Sequence, residues 1–212
     1  MSKSLVITEK PSVAVDIAKA LGGFTEHDGY SESDDYVVTF AVGHLFELLQ
    51  PEEVDEKYKA WTLEVLPILP NGEFQIKPKK GQSERIRTIK KLLARDDVET
   101  VVNACDAGRE GELIFREIIK YLGSEKPILR LWLQSMTSEA IKRGFRSLRD
   151  GAEFNGLADA AECRAFSDWL IGMNSTRALT KRFASRKERT AWSAGRVQTP
   201  TLALMVDREL EV

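Results

Sequence analysis

Long apolar runs are missing. No stretch of this 212-residue sequence approaches the ~20 consecutive apolar residues that a membrane-spanning helix needs. Met1-Ser2-Lys3-Ser4 leads straight into a strand-like segment, so nothing resembles the apolar part of a secretory signal. Cysteine and histidine are scarce as well. Two of each, with Cys105 and Cys163 far apart, cannot build a zinc finger of the usual spacing and do not suggest a disulfide scaffold. Nor is there an excess of either charge: 31 Lys+Arg against 33 Asp+Glu leave a net of −2. A soluble, cytoplasmic protein is expected, and 42% hydrophobic residues are ample for a core. Taken whole, the near-neutral balance argues against a nucleic-acid partner.

Taken by region, it does not. Residues 1–154 carry 22 basic and 26 acidic side chains, whereas 155–212 carry 9 and 7. Two stretches are more biased still. Between Trp169 and Pro200, Arg177, Lys181, Arg182, Arg186, Lys187, Arg189 and Arg196 face the single acid Glu188. Between Lys77 and Arg95, eight basic residues face Glu84 alone. A solvated helix face is the common fate of one such run. Two of them make a polyanion partner an equal expectation.

The first part alternates strands and helices. Leu5–Thr8 is a short β-branched run suited to a strand buried on both faces. A helix starts at Pro11 and closes at Gly22-Gly23. Strands are expected over 36–42, 100–105 and 128–133, and helices over 83–94, 110–121 and from Thr137 or Ser138 to about Leu148. Residues 51–80, rich in proline, read as irregular. This order predicts an α/β fold with a mainly parallel, Rossmann-like sheet. After Arg149-Asp150-Gly151 only helical periodicity remains, over 157–184 and 197–210. The expected division is an α/β domain over 1–153 and a helical segment over 154–212.

Cys105-Asp106-Ala107-Gly108-Arg109-Glu110-Gly111-Glu112 carries the chemistry. Asp106 falls where a strand ends, and Glu110 and Glu112 fall where a helix begins. Glu9 holds the equivalent place after the first strand, beside Lys10. If the two strands are neighbours, Glu9, Asp106 and Glu110 or Glu112 converge beyond the carboxyl ends of the sheet, where open α/β folds bind ligands. Clustered carboxylates need a cation, and oxygen-only donors favour Mg2+ over zinc. For Asp106 alone, ordinary helix-terminus chemistry is the better reading; two acid sites at two strand ends favour a metal. No phosphate-binding glycine loop is complete, and no nucleophile set forms around His27 and His44. His44 could be a ligand or a phosphate contact, although a satisfied histidine at a strand end is the better reading of that residue alone.

Ile7-Thr8-Glu9-Lys10-Pro11-Ser12, Val42-Gly43-His44-Leu45, the 106–112 segment, Asp168–Ala178 and Ser193-Ala194-Gly195-Arg196-Val197-Gln198-Thr199-Pro200 occur in that order. Together they resemble the amino-terminal part of the type IA DNA topoisomerases, over essentially the whole chain. The resemblance implies a Toprim domain whose acids hold Mg2+: Glu9, Asp106, Glu110 and, more weakly, Glu112. It implies that Glu9 and Lys10 are catalytic, with Lys10 stabilising charge at the scissile phosphate. Gly108 stands where the family pattern has a second acid, which puts a second metal ion in doubt. The helical part resembles the start of a domain that grips single-stranded DNA. Ser193, Ala194, Gly195, Arg196, Val197 and Gln198 become candidate contacts, with Arg164, Asp168, Thr176 and Arg177 on a neighbouring helix. Trp61 is a candidate for base stacking, although a buried structural tryptophan is the better reading. Trp132, Trp169 and Trp192 are expected in the core.

The family cleaves one strand through a tyrosine, and Tyr30, Tyr36, Tyr58 and Tyr121 match no such motif. The helical pattern of 207–212 has no cap, which reads as a fragment unable to relax DNA alone. The expected partner is DNA, chiefly single-stranded, in a bacterial cytoplasm at the nucleoid. No membrane, no small-molecule substrate and a monomer are expected. Two other functions fit the same residues: a primase-like or nuclease-like Toprim enzyme, and a non-catalytic single-strand-binding module.

Overall fold

The computed structural model describes residues 2–70, 72–185 and 190–211. In chain order the elements are β1 (Lys3–Thr8), α1 (Pro11–Leu21), β2 (Thr25–His27), β3 (Tyr30–Glu32), β4 (Tyr36–Phe40), β5 (Phe46–Leu48) and α2 (Pro51–Val54). They continue with β6 (Ile76–Pro78), α3 (Ser83–Leu93), β7 (Val98–Asn103), α4 (Arg109–Leu122), β8 (Ile128–Arg130), α5 (Ser138–Arg146), β9 (Arg149–Asp150), α6 (Asn155–Phe183) and α7 (Gln198–Leu210). Three short 3-10 turns lie at Glu56–Lys59, Leu63–Val65 and Gly151–Phe154.

The chain forms two compact units: residues 1–47 with 76–162, and residues 48–75 with 163–212. In the first, a seven-stranded sheet has the order β2-β3-β4-β1-β7-β8-β9. The four central strands β4, β1, β7 and β8 are parallel, as expected. The β2–β3 hairpin adds antiparallel strands beside β4, and β9 runs antiparallel to β8. The hairpin was not expected. Its signal is Asp28-Gly29 between the two short strands, with Gly29 at φ +81°.

Alternation along β1 sets the layers. Leu5 and Ile7 pack with Ile86, Ile89, Ile114 and Ile118 of α3 and α4 on one face. Val6 packs with Ile17, Ile141 and Phe145 of α1 and α5 on the other. All three side chains of β1 are fully buried, the pattern of a central parallel strand. Two strands stop earlier than the 36–42 and 128–133 runs suggest. After Phe40 the chain turns back on β1: the N–H of Ala41 donates to the carbonyl of Thr8, and those of Val42 and Gly43 donate to that of Glu9. The turn places Val42 at φ +69°, strained for a β-branched residue.

The second compact unit is drawn differently from the single cut at residue 153. Segment 48–75, assigned from sequence to the α/β part, packs with the helical residues instead. Tyr58, Ile68 and Trp169 form its core, with Leu48, Val65, Leu66, Phe74, Leu170 and Met173 around them. Asn174 of α6 brackets Ile68, accepting from its N–H at 2.6 Å and donating to its carbonyl at 3.0 Å. Phe74 and Phe166 stack at 4.2 Å. A segment of mixed polarity without sustained helical or strand periodicity cannot announce which partner it covers.

Candidate active site

The sheet's connections diverge at one place. From β1 the chain passes through α1 towards β4; from β7 it passes through α4 towards β8, on the opposite side. The crevice beyond the carboxyl ends of β1 and β7 is therefore the topological switch point, where ligands of open α/β sheets bind. Glu9 and Lys10 enter it from β1, and Asp106 from β7. The Lys10 ammonium lies 2.7 Å from Asp106 Oδ2 and 3.7 Å from Glu9 Oε1. The hydrogen bond to Asp106, and then the charge of Glu9, raise the Lys10 pKa above its ordinary value. Glu9 is the more enclosed carboxylate, while Asp106 and Lys10 are each about half exposed.

The backbone of Asp106 is clamped from two sides. Arg130, on β8, is fully buried, and its guanidinium donates to the carbonyls of Asn103, Cys105, Leu131 and Asp106 at 2.8–3.0 Å. Its Nε lies 3.1 Å from Glu112 Oε2. Burial lowers the Arg130 pKa, and the neighbouring Glu112 opposes that effect. On the other side, Gly111 touches the Asp106 backbone directly. A Cβ at Gly111 would stand 2.7 Å from Asp106 N and closer still to Asp106 O. Arg130 and Gly111 were not among the expected site residues. A lone arginine inside the apolar run Ile128–Leu133 is the signal that finds the first, because a buried cation needs a buried partner.

The expected convergence of carboxylates is only partly realised. Glu112 is turned into the interior, 1% exposed, accepting from Asn103 Nδ2 at 2.9 Å and from Arg116 Nε at 2.9 Å as well as facing Arg130. It is committed to structure and is not available to a metal. Glu110 is exposed at the start of α4, but its carboxylate pairs with His44 Nε2 at 2.5 Å. His44 Nδ1 lies 3.4 Å from Glu117. Glu117 first, and Glu110 second, raise the His44 pKa. His44 is thus a histidine bracketed by two carboxylates in the loop between β4 and β5. Among the described residues no three His, Cys, Asp or Glu side chains are grouped to hold a metal ion.

In the second unit the 193–198 segment is fastened to α6. Thr176 Oγ1 accepts from the N–H of Ala194 at 3.0 Å, and Asp168 Oδ1 accepts from Arg196 Nε at 2.8 Å. Arg164 reaches the same carboxylate at 3.8 Å. Ser193 bonds Gln198 Oε1 at 3.1 Å, and the N–H of Gly195 donates to Thr199 Oγ1 at 3.0 Å. Arg196, Val197 and Gln198 are exposed.

Two expectations fail here, those for Arg177 and Trp192. Arg177 is buried, donating to the Tyr58 carbonyl and to Glu52 at 3.0 Å, so it cannot reach a strand from solvent. Trp61, half-buried, packs against the Arg177 guanidinium at 4.8 Å, in keeping with the structural reading. Trp192 is 44% exposed and stacks on Phe183 rather than joining the core. Trp169 is buried as expected, its indole N–H donating to Leu49 O at 2.9 Å. Arg186, Lys187, Glu188 and Arg189 of the basic run lie outside the described residues.

Two families match the chain: the Toprim domain over residues 4–136 and DNA topoisomerase over 152–212. Among curated relatives, DNA topoisomerase 3 of Bacillus subtilis (strain 168) is 45% identical over all 212 residues, and that of Staphylococcus haemolyticus (strain JCSC1435) is 46% identical over 210. The chain spans 28% and 29% of those proteins. Among solved structures, full-length topoisomerase I from Thermotoga maritima aligns with 98% of the chain and 30% of its own at TM-score 0.67 and 23% identity, a likeness of fold.

Proposed function

Because the chain belongs to the Toprim family through residues 4–136 and matches the DNA topoisomerase model over 152–212, we propose that it supplies the metal-binding and strand-gripping part of a type IA enzyme that cleaves, passes and religates single DNA strands. The observation that carries this reading is the meeting of Glu9, Lys10 and Asp106 at the switch point. Two carboxylates converging on one ammonium form a place that selects a cation.

The donor set fits Mg2+. That ion takes oxygen ligands and is commonly held by one or two carboxylates, with water and substrate phosphate completing its shell. Glu9 and Asp106 would hold it, and Glu110 would join only by releasing His44. With Gly108 in place of a second acid, one ion is the expectation. When bound, Mg2+ neutralises charge on the scissile phosphate and orients it.

Lys10 needs only to swing from Asp106 to meet a phosphate oxygen, with its charge maintained by Glu9 beside it. In the proposed reaction a tyrosine oxygen forms a bond to phosphorus as the bond to one sugar oxygen breaks. Religation reverses both, so no co-reactant is required. On this reading the four tyrosines of the chain serve packing and the attacking tyrosine is not among them. Tyr58 is buried, Tyr121 packs on Phe46, Tyr30 on His27 and Tyr36 on Phe145.

In the second unit Arg196 offers the strand its guanidinium edge while Asp168 fixes Nε, and Gln198 presents an amide to the same surface. The other expected contacts position this surface: Thr176 pins Ala194, and Arg164 shares Asp168. No helix of the described residues is long and apolar enough to cross a membrane; action on DNA in a bacterial cytoplasm is the reading that the bacterial relatives support.

A fluorescent single-stranded oligonucleotide tests the reading. The logarithm of its affinity for the chain should fall linearly with the logarithm of salt concentration, and Arg196→Ala should lower the magnitude of that slope by about 0.7, the value of one phosphate contact on a single strand. An affinity indifferent to salt, or an unchanged slope in Arg196→Ala, would remove the strand-binding role from this segment.

A further inference from the structure

Past Asp106 the switch-point crevice continues as a cavity of about 230 Å³. Its floor is apolar, made by Val13 of α1, Ala104 at the end of β7, and Leu131 and Leu133 after β8. Gln134 and Met136 stand exposed at its rim, and Asp106 forms part of its wall. Neither the fold nor the strand-binding reading uses this space. Leu131 is buried against the α1 and α5 layer, so the floor is rigid while the rim faces solvent.

The chemistry of the cavity narrows its occupant. It is smaller than the ~300–1,000 Å³ typical of sites for drug-sized ligands. No charged group lines its floor, so the phosphate itself does not belong inside. A flat heteroaromatic ring suits it: the faces meet the apolar floor, and the edge meets the Gln134 amide, which can both donate and accept. Met136, unbranched and polarizable, adapts to either purine or pyrimidine. The ammonium that would meet a phosphate contacts Asp106, a residue of the cavity wall.

We propose that this cavity holds one unstacked nucleobase of the DNA strand whose phosphate lies at Lys10, and thereby sets which phosphodiester is presented to the catalytic residues. The proposal rests on the reading that a single strand passes Lys10, and it adds a register-setting subsite on the Toprim side. The preference among bases is weak, because apolar floor and adaptable rim distinguish base shape poorly.

The test uses an eight-nucleotide strand, bound in the presence of Mg2+, with a single abasic position moved along it. Ser135→Trp, at an exposed rim residue lining the same cavity, fills the space without touching the core, and circular dichroism confirms that it folds. At one position the abasic strand should bind wild type about tenfold more weakly, within the range of a single base contact. Ser135→Trp should weaken the intact strand by a similar factor and show no further loss with that abasic strand. Equal binding of every abasic strand by wild type, or an intact strand bound equally by Ser135→Trp and wild type, overturns the subsite while leaving strand binding in place. If wild type does not bind the intact strand at all, the strand-binding reading falls and the subsite falls with it.

Discussion

Glu112→Leu should destabilise the first unit by about 3–5 kcal/mol, the range for stripping a buried ion pair of one partner. The loss arises because Arg130 stays behind. Its guanidinium is fully buried and bonded to four backbone carbonyls, so it cannot follow its counter-charge out to water. Asn103 and Arg116 lose an acceptor in the same step. The double variant Glu112→Leu/Arg130→Leu removes the stranded charge and should recover part of the stability. Recovery stays incomplete, because the carbonyls at the end of β7 then lack a donor. Chemical denaturation of the single and double variants measures this directly. A loss below about 1 kcal/mol for Glu112→Leu would fit an exposed ion pair instead, and would reopen a metal-binding role for Glu112.

Gly111→Ala should cost about 1–3 kcal/mol, as overpacking does in a well-filled interior, and should also displace Asp106. The added methyl group would meet backbone atoms of Asp106, which cannot rotate away as a side chain can. Either α4 or the 104–107 loop must move. Arg130 holds the loop's carbonyls, so relief comes through tilting the Asp106 peptide, and with it the carboxylate that faces Lys10. Mg2+ affinity should therefore fall in Gly111→Ala even below the temperature at which it unfolds. Wild-type stability and Mg2+ binding in this variant would show that the contact relaxes without consequence.

Much of the fold was legible because its signals are local. The apolar run of β1, proline at the first turn of α1 and glycine at its end each act within a few residues. Glu9 and Asp106 were legible because two acids follow two strands, and parallel pairing of β1 with β7 then brings them together. Arg177 misled for a different reason. An arginine in a basic run reads as exposed, and only the packing of segment 48–75 supplies the carbonyl of Tyr58 and the carboxylate of Glu52 that bury it. Trp192 misled in the opposite sense, since an aromatic residue in an apolar neighbourhood reads as core. Glu112 sits in the same short motif as Glu110. Helix geometry separates them: two residues apart on α4 their side chains point some 200° apart, one to solvent and one to Arg130.

The near-neutral net charge conceals the division on which the proposed function depends. Glu9 and Asp106 meet at the switch point of the sheet, and Arg164 and Arg196 share Asp168 in the helical unit. The first of these groupings is the central one, and calorimetric titration of Mg2+ tests it most directly. Wild type should bind one ion, and Asp106→Ala should bind it at least about tenfold more weakly, as loss of a principal oxygen ligand requires. Equal affinity in the two proteins would contradict the assignment of Asp106 to the metal site.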